Sequence, residues 1–300
     1  MDTHAFHPDL RGIARWLPRQ AVGPRTLKPV RFSSGLVARM PKSGVTVQTL
    51  GPISARVHRP GSKAEPLPAL LWIHGGGYVM GSASQDDALC RRFADSLGIV
   101  VAAVEYRLAP EHPFPTPLHD CHDALAWLAS QPSVDPARIA VGGASAGGGL
   151  AAALALFARQ RGEVRLAFQL LAYPMLDDRT AARTDIDERN FRLWNNKANR
   201  FGWRSYTGSA PGSDEISDLA APARNDDLSG LPPAWIGVGT LDLFHDEALA
   251  YAGRLREAGV DCALDVVEGA FHGFDLVRPR ADVSKAFHSA QAAALGAALR

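Results

Sequence analysis

Apolar residues along this chain fall mainly into short unbroken runs separated by segments of helical period. The runs are Ala69–Ile73, Ile99–Glu105, Arg138–Gly142, Leu166–Ala172, Ala234–Gly239 and Cys262–Val267. Continuous rather than alternating hydrophobicity is expected of strands covered on both faces. Between the runs, the spacing predicts helices near 84–97, 117–130, 146–161, 244–258 and 283–299. In the third of these, Leu150, Leu154 and Phe157 recur at i, i+4 and i+7, and Gly162 stands where a C-cap belongs. Strand–helix alternation of this kind predicts an α/β fold: a mostly parallel sheet with helices on both faces. Ahead of it, Val45–Thr49 and Ile53–Val57 flank Gly51-Pro52 and read as a hairpin.

Two segments depart from the rhythm. Residues 1–42 are rich in Pro and Arg, with scattered aromatics (Phe6, Trp16, Phe32), and read as irregular chain docked on the body. Residues 177–230 carry charge, Asn and aromatics (Phe191, Trp194, Phe201, Trp203, Tyr206) and no strand signal. They read as a helical insertion over the sheet, its aromatics serving either cap packing or an acyl pocket.

Composition narrows the classes. With 46% hydrophobic and 21% charged residues, the 300-residue chain can bury a large core. Thirty-two basic against 31 acidic side chains leave a formal charge of +1, which argues against a nucleic-acid binder. No apolar run reaches the ~18 residues of a transmembrane helix, and the N-terminus has no secretory pattern. Cys90, Cys121 and Cys262 are odd in number and form no CxxC, which fits reduced thiols and a cytoplasmic protein better than disulfides or zinc.

The most informative stretch is Gly143-Ala144-Ser145-Ala146-Gly147, where a strand runs directly into a helix. This is G-x-S-x-G in the context that makes it a nucleophile elbow. Side chains at the two glycine positions would clash in so tight a turn, and the serine is left strained and exposed at the strand's C-terminal end. The helix beneath offers free N–H groups and a partial positive charge to an anion. A nucleotide loop is excluded by the lack of GxxxxGK[ST].

His74-Gly75-Gly76-Gly77 follows another strand. Consecutive glycines can aim backbone N–H groups into a cavity without interference from Cβ atoms. The expected oxyanion donors are the N–H groups of Gly76, Gly77 and Ala146, with His74 bracing the loop.

In the elbow fold the acid and then the base follow the serine in the chain. Of the three later histidines, His288 falls in a helical pattern and reads as a surface residue, and His245 opens a helix. His272 lies in a loop after a strand, among glycines and aromatics, where an imidazole suits a general base. Asp242 follows the preceding strand in a short loop and is the expected acid. Asp246 and Glu247 read instead as acids in the first turn of a helix. His119, Asp120, His122 and Asp123 lie at a helix start and need no metal to explain them, so neither metal nor cofactor is expected.

The motifs HGGGYVMG (74–81), EYRLAPEHPFP (105–115), GGASAGGGLA (142–151), LAYPMLD (171–177), GTLDLFHDEALAYAGRL (239–255) and GAFHGF (269–274) together resemble the hormone-sensitive-lipase-like esterases. These are the bacterial family IV lipolytic enzymes of the α/β-hydrolase superfamily. The likeness spans nearly the whole chain from about residue 45. It implies an eight-stranded, mostly parallel sheet in a single α/β-hydrolase domain over 1–300. It also implies a helical cap from about 1–42 and 177–230, and a triad of Ser145, Asp242 and His272. Two departures stand out: Ala144 replaces the Asp or Thr before the serine, removing a side-chain hydrogen bond, and Leu243 replaces a proline that would stiffen the acid loop. Arg107, Glu111 and Asp120 read as buried polar groups fixing the loop beside HGGG.

The function expected is that of a serine carboxylesterase acting on a small-molecule ester of short to medium acyl chain. An amidase, deacetylase or lactonase on the same triad is the alternative within enzymes. A non-catalytic small-molecule receptor is the alternative outside them, and the intact triad argues against it. The resemblance further implies a homodimer formed through the last strand and helix.

Overall fold

The computed structural model describes residues 3–38, 44–61 and 66–300. Eight strands form one sheet in the order β1-β2-β4-β3-β5-β6-β7-β8. They are β1 (Thr46–Leu50), β2 (Ile53–His58), β3 (Leu67–Ile73), β4 (Val100–Glu105), β5 (Val134–Ala144), β6 (Phe168–Ala172), β7 (Ala234–Leu241) and β8 (Cys262–Phe271). The β1–β2 hairpin and the β2–β4 pair are antiparallel; every other pairing is parallel. The expected eight-stranded sheet is present, and each apolar run falls on a strand. Residues 69–73 of β3 and 139–144 of β5 are buried throughout, because helices cover both faces.

Nine α-helices are found among the described residues: α1 (Arg11–Ala14), α2 (Leu27–Ala38), α3 (Asp87–Leu97), α4 (Thr116–Ala129), α5 (Ala146–Arg161), α6 (Asn196–Thr207), α7 (His245–Glu257), α8 (Phe274–Val277) and α9 (Asp282–Ala298). The helix expected from 84 begins as a 3-10 turn over Ala83–Asp86 before α3. Gly98 and Gly162 close α3 and α5 in the left-handed conformation. None of these helices is long and apolar enough to cross a membrane.

The N-terminal segment is more ordered than its irregular composition predicts, since it holds α1 and α2; residues 39–43 lie outside the described residues. The insertion is less helical than expected. Its one α-helix is α6, and the rest is irregular chain tied by charge. Asp178, fully buried, accepts from the Arg224 guanidinium at 2.6 Å and from the Gly212 N–H. The two segments meet: Ala21 donates to the Leu193 carbonyl, and Leu193 donates to that of Pro18, both at 2.8 Å. Arg192 seals the seam. Its buried guanidinium donates to the Ala14 and Phe191 carbonyls and lies 4.8 Å from the centre of the Phe6 ring.

Candidate active site

Ser145 is the residue between β5 and α5, at φ 57° and ψ −122°. A non-glycine residue there is strained, and the surroundings enforce it. Adding a Cβ at Gly143 would place it 2.6 Å from the Ile73 carbonyl oxygen, and one at Gly147 would run into the same carbonyl. The glycines are therefore set by the close approach of β3, as well as by the turn itself. Ser145 is further held by its N–H bond to Ala172 at 2.9 Å.

The three side chains expected to act together do meet. Ser145 Oγ stands 2.9 Å from Nε2 of His272, and Nδ1 of His272 stands 2.8 Å from Oδ2 of Asp242. All three are buried. Because a carboxylate can only accept, Nδ1 carries hydrogen toward Asp242 and Nε2 is the ring atom available to Ser145. The other oxygen of Asp242 accepts the Phe244 N–H at 2.9 Å. This bond closes the acid loop without the proline whose absence suggested a looser turn. Phe244 and Tyr173 approach the His272 ring edge-on, with centroids 5.2 and 4.9 Å away.

Asp246 is elsewhere: exposed at the surface, it pairs with His245 and Arg183. Glu247 corrects its reading as a plain first-turn acid. It is buried, accepts the Leu176 N–H at 2.7 Å and the Thr180 hydroxyl, and burial holds its carboxyl well above the usual range. It thus anchors the start of the insertion to α7.

The glycine loop after β3 lies against the elbow. A Cβ at Gly75 would sit 2.9 Å from the Ala144 carbonyl oxygen. Gly77, at φ +59°, packs under the indole of Trp194, and a side chain there would strike that ring. Among the described residues, the N–H groups of Gly76, Gly77 and Ala146 have no backbone acceptor. His74 is fully buried, stacked on Tyr106 at 4.3 Å, and donates from Nδ1 to the Gly75 carbonyl. Burial lowers its imidazole to about 4, so it braces the loop as a neutral ring.

A cavity of about 420 Å³ opens above these groups. Gly76, Gly77, Ala144, Ser145 and His272 form its floor, while Ala21, Val30, Met80, Leu193, Trp194 and Leu276 supply apolar walls. Ala144, which replaces a polar residue of the family pattern, adds to that apolar floor. Of the aromatics singled out in the insertion, Trp194 reaches the cavity. Trp203 and Tyr206 instead pack with Tyr78 in the core. Sequence reasoning did not place Ala21, Val30 or Leu193 at the site, since such small apolar residues carry no chemical signature.

Two further expectations are corrected. Glu111 is largely exposed and pairs with Arg31 at 2.9 Å; the buried partner of Arg107 is Asp120, bonded through both oxygens. His288 is a buried residue, bonded on one side to Asp275 and on the other to Arg92.

The sheet order, the elbow on β5 and the side-chain line from Ser145 to Asp242 are those of an α/β hydrolase. A profile of the alpha/beta hydrolase fold matches residues 70–276. Carboxylesterase NlhH of Mycobacterium tuberculosis is 37% identical over 284 residues, covering 90% of this chain and 84% of that protein. Ethyl acetate hydrolase of Pseudomonas putida is 35% identical over 228 residues, covering 74% and 71%. Among solved structures, a bacterial heroin esterase superposes with a TM-score of 0.90 at 37% identity over the whole of both chains. The chain belongs to the hormone-sensitive-lipase-like, family IV branch of that superfamily and is a carboxylic-ester hydrolase.

Proposed function

We propose that this enzyme hydrolyses esters of short to medium acyl chain through an acyl-enzyme formed on Ser145. The observation that carries the reading is the unbroken line from Asp242 Oδ2 through both nitrogens of His272 to Ser145 Oγ, ending in an apolar cavity beside N–H groups that have no backbone acceptor among the described residues. His272 Nε2 takes the Oγ proton as Oγ bonds to the ester carbonyl carbon, and the carbonyl π pair moves onto oxygen. Gly76, Gly77 and Ala146 donate to that oxyanion, at about 3 kcal/mol of barrier per donor. Asp242 holds the ring tautomer and balances the imidazolium. The tetrahedral adduct collapses, and the alkoxide leaves with the proton from His272. Water then attacks the acyl-enzyme by the same route, releasing the acid and restoring Ser145.

Among the described residues no charged side chain lines the cavity, and its size is at the lower end of the roughly 300–1,000 Å³ usual for ligand sites. Both features suit an uncharged acyl group of roughly four to eight carbons. The test is a series of p-nitrophenyl esters of increasing chain length, run beside matched anilides. Maximal kcat/KM at short to medium esters is expected. Faster turnover of the anilides would replace the reading with an amidase.

A further inference from the structure

Behind His272 lies a second buried carboxylate that the reaction as written does not use. Asp275, three residues beyond the histidine in α8, is almost fully buried and is engaged through both oxygens. Oδ1 accepts the Tyr173 hydroxyl at 2.8 Å, and Oδ2 lies 3.1 Å from Nε2 of His288 in α9. On its far side, His288 Nδ1 lies 2.9 Å from a guanidinium nitrogen of Arg92 in α3. Arginine can only donate, so Nδ1 accepts and Nε2–H must point to Asp275. The direction of every bond in the chain is thereby fixed: Arg92 to His288, His288 to Asp275, Tyr173 to Asp275.

Tyr173 joins this chain to the reacting groups. It lies in the turn after β6, at φ 35°, with its N–H bonded to Gly237 at 2.6 Å. Its ring forms part of the cavity wall and meets the His272 ring edge-on at 4.9 Å. The imidazole is hydrogen-bonded through its two nitrogens to Asp242 and Ser145, and the rings of Tyr173 and Phe244 both meet it edge-on. The segment carrying it, His272-Gly273-Phe274-Asp275, turns through a left-handed glycine into the short helix α8.

We infer that Tyr173 and Asp275, backed by His288 and Arg92, form a positioning set that holds the His272 ring and its loop in register with Ser145. The inference rests on the triad reading, for it has no purpose unless His272 transfers the proton. A small misplacement of a proton-transfer group lowers turnover without weakening substrate binding, which separates positioning from pocket shape. Tyr173→Phe keeps the wall ring and removes only the hydroxyl.

The experiment measures kcat and KM on p-nitrophenyl butyrate per phosphonate-titrated site, so that unfolded protein is not counted. Tyr173→Phe and His288→Leu should each lower kcat by about tenfold with KM within about twofold. His288→Gln, which can still accept from Arg92 and donate to Asp275, should recover most of the loss. In a His272→Ala background, where Ser145 is no longer titratable and rates are taken per folded protein by circular dichroism, the Tyr173→Phe change should leave the residual rate unaltered. The inference is overturned if Tyr173→Phe and His288→Leu lose thermal stability but keep parental kcat per site, or if Tyr173→Phe lowers the His272→Ala rate equally. Failure of the underlying reading would look different: Ser145→Ala would keep its turnover.

Discussion

Nδ1 of His272 stands 2.8 Å from Oδ2 of Asp242, whereas Asp246, one helical turn further along, faces Arg183 and His245 at the surface. Two carboxylates so close in sequence should therefore differ sharply in effect. Asp242→Asn can turn an amide N–H toward His272 and select the wrong tautomer; in a serine protease the equivalent change costs about 10⁴ in turnover. The bond from His245 and the pairing with Arg183 hold Asp246 below the usual carboxylate range, but these are surface contacts. Its replacement by Asn should change kcat by less than about tenfold. Steady-state rates of the two variants, with circular dichroism to confirm folding, decide the matter. A crippled Asp246→Asn beside a normal Asp242→Asn would move the acid.

Gly77→Ala should lower kcat by about a hundredfold or more, because the new methyl meets the Trp194 indole and the left-handed backbone disfavours it. Both effects would displace the N–H proposed above to hold the oxyanion. A kcat close to the parent's would show that the Gly77 N–H does not face the reacting carbonyl.

Burial pushes Asp86 up to about 7, against the opposing bond from the Trp72 indole, and the charge of Asp275 adds to the rise. A folded-state pKa above the unfolded one means that the native protein binds the extra proton. Stability linked to this group is then present below about pH 4 and lost as pH rises toward 7. Asp86→Asn removes that pH-dependent loss. Its melting temperature relative to the parent should be higher at pH 8 than at pH 5. An unchanged difference across that range would mean that Asp86 titrates normally.

The strands and the site were legible in the sequence for different reasons. Strands such as Val100–Glu105 are buried on both faces, so their apolar character is continuous and their boundaries sharp. Ser145 and the glycine loop were legible because close backbone approach leaves room only for glycine at fixed spacings. The inward face of α9 was not, since Ser284, His288 and Gln291 are buried polar residues that mimic a solvent face. Burial of such groups depends on partners distant in sequence: Asp275 is thirteen residues from His288, but Arg92 is 196. The same limit hid α2 and the insertion's irregular course, where Arg–carboxylate pairs and cross-segment bonds replace periodic packing.

The central claim is that Ser145, activated by His272, is the nucleophile. Treating the native protein with an organophosphonate ester and mapping the adduct by peptide mass spectrometry tests it most directly. One phosphonyl group per chain on the Ser145 peptide, with neither label nor turnover in Ser145→Ala folded as the parent, is the predicted result. Labelling of a different serine, or full turnover by Ser145→Ala, would contradict it.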